Sequence, residues 1–418
     1  MNLRTVKKKF RQEVLVDSKS EYNSATVIVC RFVVLCAKAS AGLFLSIFLG
    51  PISLIRPIEI WLMKLGPDKA SHFIMGIEMH LRRSQIENVK KTIKIVIWPQ
   101  KFPNAVLAKL YRRVVYIVGP KQRLFGKVLP FVIWRKNVYR HSVNTVDLQL
   151  LKSLDQGATS INFDRVQIAT GQKLEMTLFG ESDCTIVIFA YTSSEYRSKV
   201  DKKFHELDNL DEEIPRPEAF ESTILRLTQS GVKVIRQGLF LEESPVLTRS
   251  GLIVPDRKEP IRGFSDVWFT SRCKFLLTAH TGAYFFAEAF NKPWVMTDTH
   301  SFANLSCSSR GTLIFCLCWN EEEQKYASFQ WMKDNPRWCY DSARVGKLWK
   351  VVHNTPEQIV DVVTEKLARI NGEWVDSVED QELQKRFQRF AFGEVKDFSF
   401  LPQAGTKFLR EHQHLLPD

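Results

Sequence analysis

The chain has 418 residues, 44% of them apolar, enough for two ordinary domains with full cores. Its formal net charge of +13 points to an acidic partner: nucleic acid, an anionic membrane or a phosphorylated substrate. Eight cysteines, at 30, 36, 184, 273, 307, 316, 318 and 339, form no CxxC pair, which argues for reduced thiols and against a disulfide framework.

Residues 1–20 are rich in Lys and Arg, including Lys7, Lys8, Lys9 and Arg11, and residues 25–55 are apolar apart from Arg31, Lys38, serines and Pro51. The uncharged part, between Lys38 and Arg56, is shorter than the roughly 20 residues that span a bilayer, and no small-residue cleavage site follows it. A basic flank beside an apolar helix predicts attachment to a membrane surface, with a buried helix pair as the alternative. This segment, 1–56, is read as a unit of its own.

After Arg56-Pro57 the pattern alternates between helix and strand. A helix is expected over 68–83, carrying Lys69, His72, Glu78 and His80, then a strand over 92–98, a helix over 104–113 and a strand over 114–118. Residues 121–150 fit no pattern. The first α/β domain is placed at 57–162, and a helix over 163–179 bridges to the next.

The second α/β series is placed at 163–375. A buried-type strand, 184–190, ends in Tyr191 and a loop with Glu195, Tyr196 and Arg197; an acidic loop leads to a helix over 218–230, a strand over 232–235 and Arg236-Gln237-Gly238. A helix over 265–272 precedes the apolar run Phe275-Leu276-Leu277, a turn with Thr278, His280, Thr281 and Gly282, a helix through Phe290 and a further apolar run at 294–296. Small and hydroxyl residues at such a helix start leave N–H groups for an anion, and Glu288, six residues past Gly282, is placed to meet a ribose. The same residues also suit a plain helix N-capped by Thr281 behind a core strand. Helices over 356–370 and 378–392 follow, and residues 376–418 are expected to pack back on the domains.

No GxGxxG, Walker A, GxSxG, HExxH or Asp-x-Asp pattern occurs. Asp298-Thr299-His300 offers two metal ligands without a third and reads as a turn; Cys316 and Cys318 read as core residues. What remains is a set of turns at strand carboxyl ends, 191–197, 236–238, 278–282 and 297–300, which line one crevice in a doubly wound sheet. Arg197 and Arg236 suit bidentate phosphate contact there, or surface ion pairs.

Together these residues resemble a poorly characterised family of bacterial, GT-B-like glycosyltransferases of surface-polysaccharide type. The matches are Tyr196-Arg197, the run ending Val234-Ile235-Arg236-Gln237-Gly238, Ser265-Asp266, Thr281-Gly282 with its helix to Asn291-Lys292-Pro293, and the tail 405–416. The Thr-Gly-x-x-x-x-Ala-Glu-Ala stretch is also similar to the donor-binding loop of heptosyltransferases, and Arg56-Pro57 and the helix from Lys69 look like the family's membrane-proximal start. The family's His-x-Arg-Asp strand end is here Phe189-Ala190-Tyr191-Thr192, and its Arg-x-Gly-His is Lys69-Ala70-Ser71-His72.

The resemblance implies an α/β protein with two Rossmann-like domains facing a cleft. It implies transfer from a nucleotide-sugar to a glycan or lipid-linked acceptor at the cytoplasmic face of the inner membrane. The donor is a substrate, and no cofactor or metal is implied. Donor binding falls to Arg197, Arg236, Thr278, His280, Thr281, Gly282 and Glu288, and the catalytic positions to His72 and Glu78. The lost His-x-Arg-Asp leaves a catalytically silent scaffold in a polysaccharide assembly complex as the alternative. A nucleic-acid partner is not expected, because the basic residues are dispersed rather than gathered in a stripe.

Overall fold

The computed structural model describes residues 58–63, 70–87, 93–97, 102, 104–118, 138–141, 148–181, 183–191, 215–238, 244–255, 261–279, 281–302, 305, 308–336 and 349–417, with six positions between 33 and 47. The expected apolar segment 25–55 lies outside the described residues save for those six. Among the described residues, no helix is long and apolar enough to cross a membrane.

The chain divides into two compact units. The first comprises 1–68, 89–103 and 111–142 and holds a four-stranded parallel sheet of β1 (Ile58–Met63), β2 (Ile93–Ile97), β3 (Tyr116–Val118) and β4 (Val138–His141), in the order β3-β2-β1-β4. β4 arises from the stretch that fits no sequence pattern, and Val138–His141 explains why: two of its four residues, Arg140 and His141, are polar.

The second unit comprises 69–88, 104–110 and 143–418. Its core is a six-stranded, all-parallel sheet of β5 (Ile186–Ala190), β6 (Lys233–Gln237), β7 (Phe275–Ala279), β8 (Trp294–Thr299), β9 (Gly311–Phe315) and, at the edge, β13 (Gln403–Ala404). The order is β13-β9-β8-β7-β5-β6. A small antiparallel sheet, β11-β10-β12, is made by β10 (Leu317–Asn320), β11 (Lys325–Tyr326) and β12 (Trp349–Val352). β5, β7, β8 and β9 are buried at every position, as strands covered on both faces must be, which is why each contains an apolar run, at 186–190, 275–277, 294–296 and 313–315.

The helices of this unit are α1 (Ala70–Ile86), α2 (Ala105–Tyr111), α3 (Leu148–Gln156), α4 (Arg165–Phe179), α5 (Glu221–Gln229), α6 (Pro245–Arg249), α7 (Ile261–Arg272), α8 (Tyr284–Ala289), α9 (Phe329–Asp334), α10 (Pro356–Asn371), α11 (Val378–Phe392) and α12 (Thr406–Glu411). Local signals set several ends. α4, α10 and α11 each begin in a capping box, Asp164 with Gln167, Thr355 with Gln358 and Ser377 with Asp380. Gly180 and Gly372 close α4 and α10 in the left-handed region.

α1 and nearly all of α2, expected with the first domain, group with the second unit. For α1 the cause is Arg82, which is wholly buried and uses all five of its N–H donors. Nε binds Glu78 (2.8 Å), Nη1 binds the Leu154 carbonyl and Asn291 Oδ1, and Nη2 binds the Glu288 and Ala289 carbonyls. For α2 it is Asn104, whose side chain caps the helix and donates to the Gly263 carbonyl at 3.0 Å.

On the other side of the sheet, α10 buries Lys366, whose Nζ donates to the Arg310 carbonyl (2.7 Å) and Thr312 Oγ1 (3.2 Å). Burial, helped by the Arg369 charge, pushes the Lys366 ammonium down to about 8. A base whose folded pKa lies below its unfolded value binds fewer protons when folded across the interval between the two. Stability should therefore rise from about pH 8 to about pH 10.5, by about 3 kcal/mol in total. Urea melts across this window should show a rise that Lys366→Met removes; equal slopes for both proteins would mean that Lys366 is not the titrating group.

Candidate functional site

Because every strand of the large sheet is parallel, all carboxyl ends share one edge. The chain runs from β5 outward to β6, then returns to the other side of β5 for β7, so the order reverses between β5 and β7. In doubly wound sheets a crevice opens at that reversal and holds the ligand. β5 ends there at Ala190 and Tyr191, β7 at Thr278 and Ala279, and Arg236 lies on the neighbouring β6 opposite Phe189.

Arg236 is 6% exposed. Its guanidinium lies over the rings of Tyr191 (5.2 Å) and Phe189 (5.3 Å), and Nη2 donates to the Tyr191 carbonyl at 2.7 Å. A cation is thereby stacked on aromatic faces beside the switch point. Arg197 and His280 lie outside the described residues.

The turn after β7 is built on hydroxyls. Thr278 and Thr281 share a hydrogen bond of 2.8 Å between their Oγ1 atoms, and Thr281 Oγ1 accepts from Ala283 N at 3.1 Å. The expected helix through Phe290 is shorter: α8 has six residues and its N-cap is Ala283, with no side-chain cap. Its first N–H groups are already engaged, Phe285 with the Gly282 carbonyl and Phe286 with that of Ala283. The turn expected to cradle an anion therefore has the N–H groups of Ala283, Phe285 and Phe286 bonded within itself.

Gly282 is required for a close approach. A Cβ there would stand 2.4 Å from both Cβ and Oγ of Ser71, in the first turn of α1. The contact brings the helical turn that carries His72 against the turn that carries Thr281. The His72 side chain is outside the described set. Two turns further along α1, Glu78 is wholly buried, and its Oε1 accepts from Arg82 Nε (2.8 Å) and Ser160 N (3.0 Å). Its observed role is to anchor α1.

Glu288, expected beside a ribose, lies in a buried network. It is fully buried, with Oε1 accepting from Trp294 Nε1 (2.8 Å) and from Ser308 Oγ (2.6 Å) and N (3.3 Å), and Oε2 from Arg310 Nη2 (2.7 Å). Burial alone would push this carboxyl up. The Arg310 charge and the Ser308 and Trp294 hydrogen bonds outweigh it and hold the carboxyl below its ordinary range. Arg310 also donates to the Asp155 and Leu154 carbonyls, so the pair ties α8 to α3. Spacing along a helix gave no warning, because the partners lie 20 and 22 residues away.

Sequence reading passed over Asp298 as a turn residue. It is 3% exposed and lies on the same edge, in contact with His353 and Asn354. Among the described residues, no group of three His, Cys, Asp or Glu side chains is arranged to hold a metal ion. Cys316 and Cys318 are core residues, 2% and 0% exposed.

No family model matches the chain, and no curated protein matches it by sequence. Among solved structures it is similar to a glycosyl transferase family 9 protein from Veillonella parvula, at 11% identity over 62% of this chain and 85% of that one, TM-score 0.38. It is also similar to the E. coli ADP-heptose lps heptosyltransferase II, at 12% identity over 75% and 98%, TM-score 0.41. A third is E. coli heptosyltransferase WaaC with ADP, at 11% over 57% and 86%, TM-score 0.31.

Gly282→Ala should destabilise the protein by about 1–3 kcal/mol through overpacking against Ser71. The double variant Gly282→Ala with Ser71→Gly should recover most of that loss in urea denaturation. An additive or larger loss in the pair would show that the two turns are not in contact.

Proposed function

We propose that this chain is a glycosyltransferase of GT-B type that binds a nucleotide-sugar at the carboxyl edge of the six-stranded sheet. The observation that carries the reading is the strand order, which reverses between β5 and β7 where Tyr191, Arg236 and the Thr278–Thr281 hydroxyls gather. A cation resting on aromatic faces supplies charge for a diphosphate, and the hydroxyls supply hydrogen bonds to it. Arg197 and His280 are proposed as further donor contacts on the strength of the sequence resemblance.

The acceptor is proposed to be a membrane-held glycan or lipid-linked saccharide, and the transfer to need no metal. His72 is proposed as the base that takes the acceptor hydroxyl's proton, a role worth about 10²–10⁴ in rate. The contact between Ser71 and Gly282 supports this by placing its helical turn beside the donor turn. Membrane attachment is proposed through the basic, apolar N-terminal segment. The helical positions Val33, Phe44 and Ile47 in it are 58%, 62% and 66% exposed, apolar surface suited to a lipid interface.

Thermal stabilisation by ADP, UDP, GDP and CMP is the direct test, since a ligand bound only to the native state raises the midpoint. One nucleotide should stabilise the protein, and His72→Ala should keep that shift while sugar transfer falls by about 10²–10⁴. A chain that binds a nucleotide and transfers nothing would be the silent scaffold. The full chain should also sediment with anionic vesicles at low salt, and a form lacking 1–56 should stay in the supernatant; equal partition of both would end the membrane proposal.

A further inference from the structure

By sequence α1 is the connection between β1 and β2, joined to them by residues 64–69 and 87–92. A helix that links two parallel strands ordinarily covers their own sheet. α1 instead groups with the second unit, where its main packing partners are α3 and α8. Phe73, Ile74, Ile77 and Arg82 are wholly buried along it.

Two attachments hold α1 to the stretch that follows the Thr278 and Thr281 hydroxyls. At its start, Ser71 occupies the space beside Gly282, where a Cβ would stand 2.4 Å from Ser71 Cβ and Oγ. About three turns later, Arg82 Nη2 donates to the Glu288 (2.7 Å) and Ala289 (3.2 Å) carbonyls, and Nη1 to Asn291 Oδ1. α1 and residues 282–291 therefore lie side by side in the same chain sense, joined near both ends. Asn291 has a left-handed φ of 54°, and its amide is held on both sides, since Nδ2 donates to the Gly157 carbonyl at 3.2 Å.

α8 has six residues, too few to be stable alone, so its form depends on what it packs against. Thr159 Oγ1 and Asn291 N also bond its last carbonyls, but neither belongs to α1. The charge-assisted bonds to those carbonyls come from Arg82. An undocked α1 would take them away, together with the packing of Ser71 on Gly282. A ligand that binds the ordered turn must then favour docked α1 by the same factor by which docked α1 favours the ligand.

We propose that α1 regulates nucleotide binding at this edge: the Thr278–Thr281 turn binds while α1 is docked, and Arg82 is the positioning residue that couples the two. The inference rests on the nucleotide-sugar reading and deepens it. Arg82 is buried too deeply to touch the ligand. It acts by holding Glu288, Ala289 and Asn291, and through them the helix that leaves the turn. A helix whose chain neighbours are β1 and β2 thereby sets the affinity of the second unit.

Hydrogen exchange of the full chain, with and without ADP, UDP, GDP or CMP, tests this. The nucleotide that raises the melting midpoint should slow exchange at least tenfold in 78–86 as well as in 281–291, and leave α10 unchanged. Residues 78–86 begin about two turns beyond Ser71, so a ligand lying on the turn does not cover them. Protection confined to 281–291 overturns the coupling, and equal slowing in α10 marks general stabilisation and overturns it too. Arg82→Lys keeps a charge opposite Glu78 but offers three donors in place of five. It should weaken that nucleotide tenfold or more at a temperature where circular dichroism shows the variant folded. Exchange in α1 and α8 should quicken while α10 keeps its wild-type rate, a pattern that general destabilisation would not give. Wild-type affinity in folded Arg82→Lys overturns the positioning role, and so does equal quickening in α10. If Arg82→Lys fails to fold, the wild-type exchange pattern decides the matter. A wild-type chain that binds none of the four nucleotides overturns the underlying reading and this inference together, whereas a bound nucleotide that leaves 78–86 unprotected overturns this inference alone.

Discussion

The buried C-terminal end of α8 is the point on which the second unit depends. A helix of six residues has little intrinsic stability, and its last carbonyls lack partners within the helix. Arg82 supplies them, with Nη2 on the Glu288 and Ala289 carbonyls, and Thr159 Oγ1 adds a bond of 2.6 Å to Ala289. A guanidinium in the interior is itself expensive unless every donor is used and its charge is matched. Arg82 meets both conditions, with five acceptors and Glu78 as counter-ion. The arginine and the end of the short helix thus satisfy each other, beside the backbone bond from Asn291 N to the Glu288 carbonyl.

A second buried pair repeats the logic on the side-chain face of the same helix. Glu288 receives hydrogen bonds from Trp294, Ser308 and Arg310, and Arg310 reaches back to α3. α3 therefore meets both arginines, since the Leu154 carbonyl accepts from Arg82 and from Arg310. The Thr281 turn, held at one end by Gly282 against Ser71, is thus anchored at its other end by two guanidinium networks. A turn fixed at both ends keeps its hydroxyls in place, and that preorganisation is what a binding edge requires.

How much of this was legible follows from the range of each interaction. Strands covered on both faces announce themselves as apolar runs, so β5, β6 and β7 are readable from residues 184–190, 232–235 and 275–277. Capped helices are readable too: α11 occupies the expected 378–392, because Ser377 and Asp380 form its capping box within three residues. The grouping of α1 was not legible, since Arg82 meets acceptors 72, 206, 207 and 209 residues away. The Glu288 network was hidden for the same reason, since its partners Ser308 and Arg310 lie 20 and 22 residues away. Of the site, Arg236 at a strand end and the Thr278–Thr281 turn were visible locally. Asp298 with His353 was not, because 55 residues separate them.

Polarity along the strands rises toward one edge of this sheet. β7 is Phe275-Leu276-Leu277 before Thr278, and β8 is Trp294-Val295-Met296 before Thr297-Asp298-Thr299, all of them buried. β6 changes in the same sense, from Val234-Ile235 to Arg236-Gln237. Packing alone gives no reason for that gradient, since a sheet buried on both faces is most stable with apolar side chains throughout. Each buried polar group must find a partner or weaken the fold, and Thr297, Asp298 and Thr299 each keep an oxygen without one. A chain that places its least favourable burial on one edge of its sheet, on the strand beyond β7, has given up stability there. The stability comes instead from the arginine networks at the end of α8, where every guanidinium donor of Arg82 is matched by an acceptor.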